Sequence, residues 1–452
     1  MAKNNDKIEL FETMPIPQAV AKLSIPTVLG TLVMVLYNLA DTYFVGLINN
    51  PVQSAAVTLA APVLLAFNAV VNLFGVGTAS LMSRALGKYD YDTVKKTSSF
   101  GFYAALCASL LFSLLAAIFR KPLLTLLGAD SETFAATSSY MLWTVIFGAA
   151  PSILNIVISN IIRAEGSALH ASIGTMSGCI LNIILDPVFI MPWGLNMGAS
   201  GAGLATMISN VFACMYFFVF LLVKRGKTFV SFAPKDFVIR RDIAREVFSV
   251  GVPAAIQNLL NVTGMTVLNN FSSAFGTDAV AAMGITHKIN MVPMYISMGM
   301  AQGIMPLIGY NYSSGNGRRM KEALIYTLKF ALGFIVLASA AYYIWADRLI
   351  FMFMKNEAIV AYGARFLKGF CLGLPFLTVD FIAVGVFQAV GMGRESLIFA
   401  ILRKVALEIP ALFLLNQLWP LYGLAYSQLV AELVLSVAAC IVLRRLFKKV
   451  NA

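Results

Sequence analysis

The chain has 452 residues, of which 59% are hydrophobic and 12% charged, with 33 Lys and Arg against 21 Asp and Glu for a net charge of +12. Soluble domains carry about 25% charged residues, so a soluble fold is excluded, and long unbroken apolar runs exclude a membrane β-barrel, whose strands alternate. The positive excess falls between alternate apolar runs, the pattern of membrane topology rather than of nucleic-acid binding.

About 20 apolar residues span a bilayer as a helix. Twelve such stretches are predicted, at 19–47, 54–83, 97–119, 135–162, 168–191, 200–223, 246–275, 279–310, 322–345, 359–390, 396–416 and 422–443. The polar, amphipathic segment ahead of the first is not built like a signal peptide, and the first helix is expected to serve as an uncleaved insertion signal. That helix carries Pro26, which removes a helical hydrogen bond and permits a kink, and Asp41, inside the apolar run 28–45. The fourth helix ends in Arg163-Ala-Glu-Gly166. His170 follows this turn and is expected to be solvated. The fifth helix carries Asn182, Asp186 and Pro187, and the sixth carries Thr206.

The charged stretch 224–245 follows; it contains Pro234 and ends in RRDIARE, read as an interfacial helix. Asn261 lies on the seventh helix and His287 and Lys288 on the eighth, beside a methionine stripe at Met283, Met291, Met294, Met298 and Met300. Helical spacing makes the stripe core packing first and an adaptable cavity wall second. The tenth helix brings Pro375 and Asp380, the eleventh Arg403 and Lys404 near an end and then Glu408 and Pro410, and the twelfth Glu432. Lys288 is expected to pair with an acid; Asp380 and Glu408 are candidates for that role or for a cationic ligand. Glu432 is read as a helix–helix hydrogen bond and His287 as structural. The five cysteines are scattered singly, without disulfide or metal spacing.

With the N-terminus inside, the cytoplasmic segments hold Lys3, Lys7, Lys22, Arg84, Lys88, Lys95, Lys96, Arg163, the cluster from Lys224 to Arg245, Arg318, Arg319, Lys321, Arg394 and the run Arg444 to Lys449. The outer loops hold little beyond Arg120, Lys121, Arg348 and Lys355. Both termini are therefore expected in the cytoplasm of a multi-pass protein of the cell membrane. Trp143, Trp193, Trp345 and Trp419 all fall at predicted outer ends, as an aromatic belt does.

The second half repeats the first. Pro26 recurs as Pro253, Gly77 to Gly87 as Gly299 to Gly309, Arg163 to Gly166 as Gln388 to Gly391, Asp186-Pro187 as Ile409-Pro410, and Gly203 as Gly423, at offsets of 220 to 227. A near-constant offset marks duplication. Six helices per half gives both halves the same orientation, related by an axis along the membrane normal. The expected fold is an all-α polytopic membrane protein of 12 transmembrane helices in two pseudo-symmetric six-helix lobes. The division is an N-lobe 1–223, a cytoplasmic linker 224–245 and a C-lobe 246–452. Such a repeat places a substrate cleft between the lobes near the midplane, and rocking alternates access to it.

A charge at membrane depth costs roughly 2.5–3.5 kcal/mol on insertion scales and marks ion, proton or ligand handling. Asp41, Asn182, Asp186 and Thr206 fall at one depth in the outer half of the first lobe, with Asn182 and Asp186 on one helical face. Their oxygens suit a hard cation, and a low-dielectric pocket favours proton uptake by a carboxylate. Asp41 and Asp186 would be the metal ligands of a sodium-coupled protein. Pro26, on the same helix as Asp41, is a candidate hinge.

YNLADTYFVG, RAEG, LNIILDPVFI, GASGAGLAT and the twofold repeat together resemble the multidrug and toxic compound extrusion (MATE) transporters across the whole chain, and the paired first-lobe acids resemble their DinF-type prokaryotic branch. The resemblance implies secondary antiport, with export of a cationic or amphipathic compound in exchange for H+ or Na+, no other cofactor and a monomer in lipid. It implies a cation site of Asp41, Asn182, Asp186 and Thr206, joined by a fourth-helix asparagine that matches Asn160 or Asn155. Tyr37, Asn261, Met291 and Asp380 are the candidates for the substrate cavity. Asn261 stands where the related NorM-type branch has a sodium-binding acid, a departure from that site. The alternative is a lipid or lipid-linked oligosaccharide flippase of the same architecture, which calls for a strongly basic cleft. A membrane enzyme is disfavoured because no HExxH or GxSxG motif occurs, and a channel because no filter motif occurs.

Overall fold

A computed structural model describes residues 5–450; Lys3 lies outside the described residues. Among these there is no strand. Twelve long helices run in order: α1 (Ile16–Leu47), α2 (Pro51–Gly87), α3 (Tyr91–Ile118), α4 (Phe134–Ala164), α5 (Ala168–Ile190), α6 (Ala199–Val223), α7 (Arg241–Ser273), α8 (Thr277–Ser313), α9 (Gly317–Ile344), α10 (Glu357–Ala389), α11 (393–418) and α12 (Ser427–Val450). Each predicted span is one of these helices. A short helix, Asn5–Glu12, precedes them. Among the described residues, nine helices are long and apolar enough to cross a membrane by composition alone. Gln257, Asn258 and Asn261 dilute the apolar run of α7, and Arg403, Lys404 and Glu408 interrupt that of α11.

The duplication is written in the caps as well as in the spans. Asp90 accepts from Thr93 N (3.0 Å) ahead of α3, and Asn316 accepts from Arg319 N (3.0 Å) ahead of α9. Asp130 accepts from Thr133 N (2.8 Å) before α4, and Asn356 from Ala358 N (2.9 Å) before α10. Each satisfies otherwise orphaned donors at a helix start. At the other ends of α4 and α10, Gly166 and Gly391 adopt φ of +91° and +85°. This left-handed turn suits glycine, which has no Cβ to oppose it.

RRDIARE does not form a separate interfacial helix. It contributes the first turns of α7, while 224–240 is a turn at 224–226 followed by irregular chain with one 3-10 turn at Pro234–Asp236. That linker packs on the first lobe, with Phe229 stacked on Tyr91 and Phe232 on Phe102. The aromatic pairs, rather than an amphipathic helix, hold it down.

Helices α1–α6 and α7–α12 form the two lobes, which meet along α1–α8 and α2–α7. The outward faces keep exposed leucines and phenylalanines, as on α3 (Leu110, Leu111, Leu114) and α9 (Phe330, Phe334, Leu337). Such faces suit lipid, because the helices satisfy their own backbone groups. The lobes touch at the end that carries both termini. There Arg84 Nη1 lies 2.9 Å from Glu246 Oε2, Ser80 donates to the Gln388 carbonyl, and Thr31 Oγ1 donates to the Tyr295 carbonyl (3.0 Å). Among the described residues, no side-chain hydrogen bond or ion pair joins the lobes beyond Thr31, midway along α1.

Glycines let the helix backbones meet at this seam. A Cβ on Gly251 would fall on the Leu73 carbonyl oxygen, and one on Gly303 would lie 2.7 Å from the Ser24 Cα. Gly333, on the outward face of α9, has nothing within 4 Å of such an atom. Gly251→Val is therefore expected to destabilise the protein by about 1–3 kcal/mol through overpacking, lowering its melting temperature in detergent, while Gly333→Ala leaves the melting temperature unchanged or slightly higher.

Candidate functional site

Three helices of the first lobe assemble the predicted acids and their partners. Asp186 and Asn182, one turn apart on α5, are buried, at 0% and 2% exposure. With the Asn182 amide nitrogen turned toward the carboxylate, Nδ2 donates to Asp186 Oδ2 (2.9 Å) and Oδ1 accepts from Thr206 Oγ1 of α6 (3.3 Å). The network sets this orientation, since the opposite one would point an amide oxygen at a carboxylate. From α1, Tyr37 reaches Thr206 and Asp41, and half-buried Asp41 lies within electrostatic range of Asp186. Asn182, Asp186 and Thr206 are thus one hydrogen-bonded cluster, with Asp41 in its electrostatic neighbourhood. Pro187 has no N–H, so the carbonyl of Ile183, between Asn182 and Asp186, loses its helical donor.

The two asparagines of α4 separate cleanly. Asn155 Nδ2 donates to Asn210 Oδ1 (2.9 Å), and Asn210 Nδ2 donates to the Thr206 carbonyl (2.8 Å), which ties Asn155 to the cluster. Its own Oδ1 is buried without a partner. Asn160 instead accepts from Arg163 Nη1 (2.8 Å) and packs on Gly75 of α2. It belongs to the RAEG turn, away from the acids.

Two members escaped sequence reasoning. Asn210 sits four residues after Thr206, so helical spacing held a usable signal. Tyr140, 5% exposed, lies within electrostatic range of both Asp41 and Asp186 from the first turns of α4. The following segment Leu142–Ile146 is a π-helix, which shifts the register of α4, and nothing in the local sequence announces it.

No base answers these acids. Among the described residues, the ion pairs of first-lobe side chains are Lys7–Glu165, Lys96–Asp92 and Arg84–Glu246, all near the termini. Among the described residues, no group of three or more His, Cys, Asp or Glu is positioned to hold a metal ion. A cation here would draw on the two carboxylates together with amide and hydroxyl oxygens of Asn182 and Thr206.

The second lobe is organised differently, and several expectations change. Asp380 (1% exposed) is not on a cavity wall: Arg403 Nη1 lies 3.6 Å from its Oδ2. Arg403 Nη2 lies 2.5 Å from Glu432 Oε1, so Glu432 is ion-paired rather than simply hydrogen-bonded. Lys404 Nζ lies 2.6 Å from Glu408 Oε2. Arg403 and Lys404 are not at a helix end; they lie mid-helix in a π segment, 402–408, which turns both neighbours inward. Lys288 has no ion pair among the described residues and is exposed; Arg403 and Lys404 have taken the acids meant for it. His287 is held against Phe370 (ring centroids 5.2 Å). His170 is half-buried, 3.0 Å from the Tyr216 hydroxyl, rather than free in solvent. Asn261 on α7 and Met291 on α8 are half-buried and make no hydrogen bond to the first-lobe cluster.

A family model described as MatE matches residues 26–188 and 253–414. The multidrug export protein MepA of Staphylococcus aureus strain MRSA252 is 34% identical over 440 residues, covering 97% of this chain and 96% of that one. MepA of Staphylococcus saprophyticus is 32% identical over the same shares. Among solved structures, the outward-facing conformation of a multidrug resistance MATE family transporter of the MOP superfamily superposes with a TM-score of 0.91 at 26% identity, covering 98% of each chain. A MATE structure in the straight conformation superposes with a TM-score of 0.92 at 25% identity, covering 98% of this chain and 99% of that one.

Removing one partner of a buried pair strands the other, at about 3–5 kcal/mol. Arg403→Gln, which strands both Asp380 and Glu432, is expected to lower the melting temperature of the purified protein sharply. Lys288→Gln, on an exposed residue without a partner, is expected to leave it within about 0.5 kcal/mol of the parent.

Proposed function

The chain belongs to the MatE family, and from that premise we propose that it exports cationic or amphipathic small molecules across the cell membrane in exchange for an inward-moving H+ or Na+. One observation carries the coupling site. Among the described residues, every buried acid of the second-lobe interior has a basic partner, whereas Asp41 and Asp186 have none. An uncompensated carboxylate pair in an apolar bundle is stable only with a cation or proton, and that demand can be met by the coupling ion or released to substrate.

The positive-inside distribution supports a cytoplasmic location for both termini, and hence for the lobe seam. The structure is then closed to the cytoplasm, with the first-lobe acids beyond the seam on the outer side. In the cycle, a proton or Na+ from outside is taken up at Asp41 and Asp186. Asn182 and Thr206 supply oxygens to Na+, or hold the protonated carboxyl by hydrogen bonds. Neutralisation weakens the attraction for a cationic substrate, which leaves outward, and the bodies 1–223 and 246–452 rock about the cleft. Tyr37, close to Thr206 and Asp41, couples the cluster to α1, where Pro26 provides the bend. Asn261 and Met291 are the second-lobe contributions to the substrate cavity. The protein works as a monomer in lipid, with no cofactor beyond the coupling ion. A flippase for pyrophosphate-linked lipid needs several free bases in the cleft; Arg403 and Lys404 are both neutralised, which leaves Lys288 as the one unpaired base of the three among the described residues and favours export of a cation.

Asp41→Asn and Asp186→Asn are each expected to reduce ethidium efflux from expressing cells at least tenfold. Asn155→Ala should weaken it severalfold, and Asn160→Ala should not. Full efflux by both acid variants contradicts the assignment. In liposomes, imposing a pH gradient and a Na+ gradient separately identifies the coupling ion, and transport driven equally well by neither contradicts antiport.

A further inference from the structure

The helix Asn5–Glu12 crosses the seam between the lobes. Its first half is tied to the first lobe, where Lys7 Nζ lies 2.6 Å from Glu165 Oε1. Glu165, with 0% exposure, also accepts from Thr228 Oγ1 (2.8 Å) and Phe229 N (2.9 Å), so one buried carboxylate gathers this helix, the RAEG turn and the linker. Leu10 and Phe11, each 2% exposed, pack against Gly166, where a Cβ would lie 3.0 Å from both side chains.

Its second half is also tied to the other lobe. Phe11 stacks on Tyr310 of α8 with ring centroids 4.8 Å apart, and the Tyr310 hydroxyl donates to Glu12 (2.6 Å). Asn311 Nδ2 donates to the Phe11 carbonyl (3.2 Å). Arg319, in the first turn of α9, donates through Nε to the Phe11 carbonyl (2.6 Å) and through Nη2 to the carbonyls of Met14 (2.6 Å) and Leu10 (3.3 Å). A guanidinium here both satisfies carbonyls orphaned at the helix end and places a cation at the negative pole of the helix dipole.

At the repeat offset its counterpart is the linker segment near 232–239, which has only a 3-10 turn, stacks Phe232 on Phe102 of the first lobe and packs Phe237 beside Phe100, Ile243 and Val247. The strap exists once, and it is fastened to both bodies that must separate if the seam is to open.

We propose that Asn5–Glu12 is an interlobe latch, and that release of its carbonyls by Arg319 controls how readily the transporter opens to the cytoplasm. Arg319 is a positioning residue: it touches neither coupling ion nor drug and acts through the strap. The inference rests on the rocking cycle proposed above, and its test separates the two.

Spin labels on Lys88→Cys and Lys321→Cys, exposed residues of opposite lobes at the seam end, are introduced into a background with the five native cysteines replaced, and inter-label distances are measured in nanodiscs with and without ethidium at pH 5.5 and 8, with and without Na+. Arg319→Gln is expected to raise the open-seam population severalfold and to change the maximal transport rate with little change in half-saturating ethidium. Arg318→Gln is the control. It removes the same charge one residue away, but its side chain is 89% exposed and pairs with Glu322. Lys7→Gln loosens the other anchor and is expected to shift the population the same way, which keeps the test intact should Arg319→Gln fold poorly. Distance distributions for Arg319→Gln and Lys7→Gln that match Arg318→Gln, in a parent that does show two seam distances, overturn the latch. A parent with a single seam distance in every condition overturns the rocking cycle itself.

Discussion

A carboxylate buried among apolar helices must be answered by a base, a proton, a metal ion or a ligand, and the two lobes of this protein answer differently. In the second lobe Arg403 bridges Asp380 and Glu432, and Lys404 holds Glu408, so the acids are settled within the protein. In the first lobe Asp186 receives only the neutral amide of Asn182, and Asp41 only the vicinity of Tyr37 and Tyr140. Neutral donors orient a carboxylate without cancelling its charge. That leaves one charge-hungry site in a bundle built twice from the same plan. The repeat makes the contrast sharper, because the position equivalent to Asp186 is Ile409: the helix folds and packs there with no acid at all.

The site depends on where the lobes touch. Glycines at the seam bring α2 onto α7 and α8 onto α1 at backbone distance, and polar contacts add Arg84–Glu246 and Thr31–Tyr295. These contacts stop at mid-helix, while Asp41 lies two to three turns farther on. One half of each seam helix is thus committed to closure and the other left to the cleft. Closely packed interfaces have few arrangements of comparable energy, so they switch rather than deform. The strap over the seam adds a fastening at the edge, where a small number of bonds has the greatest leverage over rocking.

Much of this was legible in the sequence. The twelve spans are readable because a bilayer demands length and apolarity at once, and the duplication because turn glycines and prolines recur at fixed offset. Asn182 and Asp186 declare a shared face through their spacing of four, and Asp90 and Asn316 repeat as caps. What stayed hidden depends on contacts between distant segments. Arg403 meets Asp380 and Glu432 from three different helices, and a π segment that no residue pattern signals turns it inward. Lys288 looked like the base in need of an acid because it lies in an apolar run, yet its side chain is exposed and has no ion pair among the described residues. The choice between Asn155 and Asn160 turned on Asn210, which binds one and not the other. The anchors of the N-terminal helix, Glu165 and Arg319, are over 150 residues apart and carry no sign of a common partner.

The central claim is that the unpaired first-lobe acids exchange a coupling cation for substrate. Equilibrium binding of a cationic dye to the purified transporter, measured across pH and Na+ concentration, tests it most directly. The account predicts that affinity of the parent protein falls as either H+ or Na+ rises, and that a protein carrying both Asp41→Asn and Asp186→Asn binds the dye with no dependence on that ion. An ion-independent affinity in the parent, or the same ion dependence in the double variant, would contradict it.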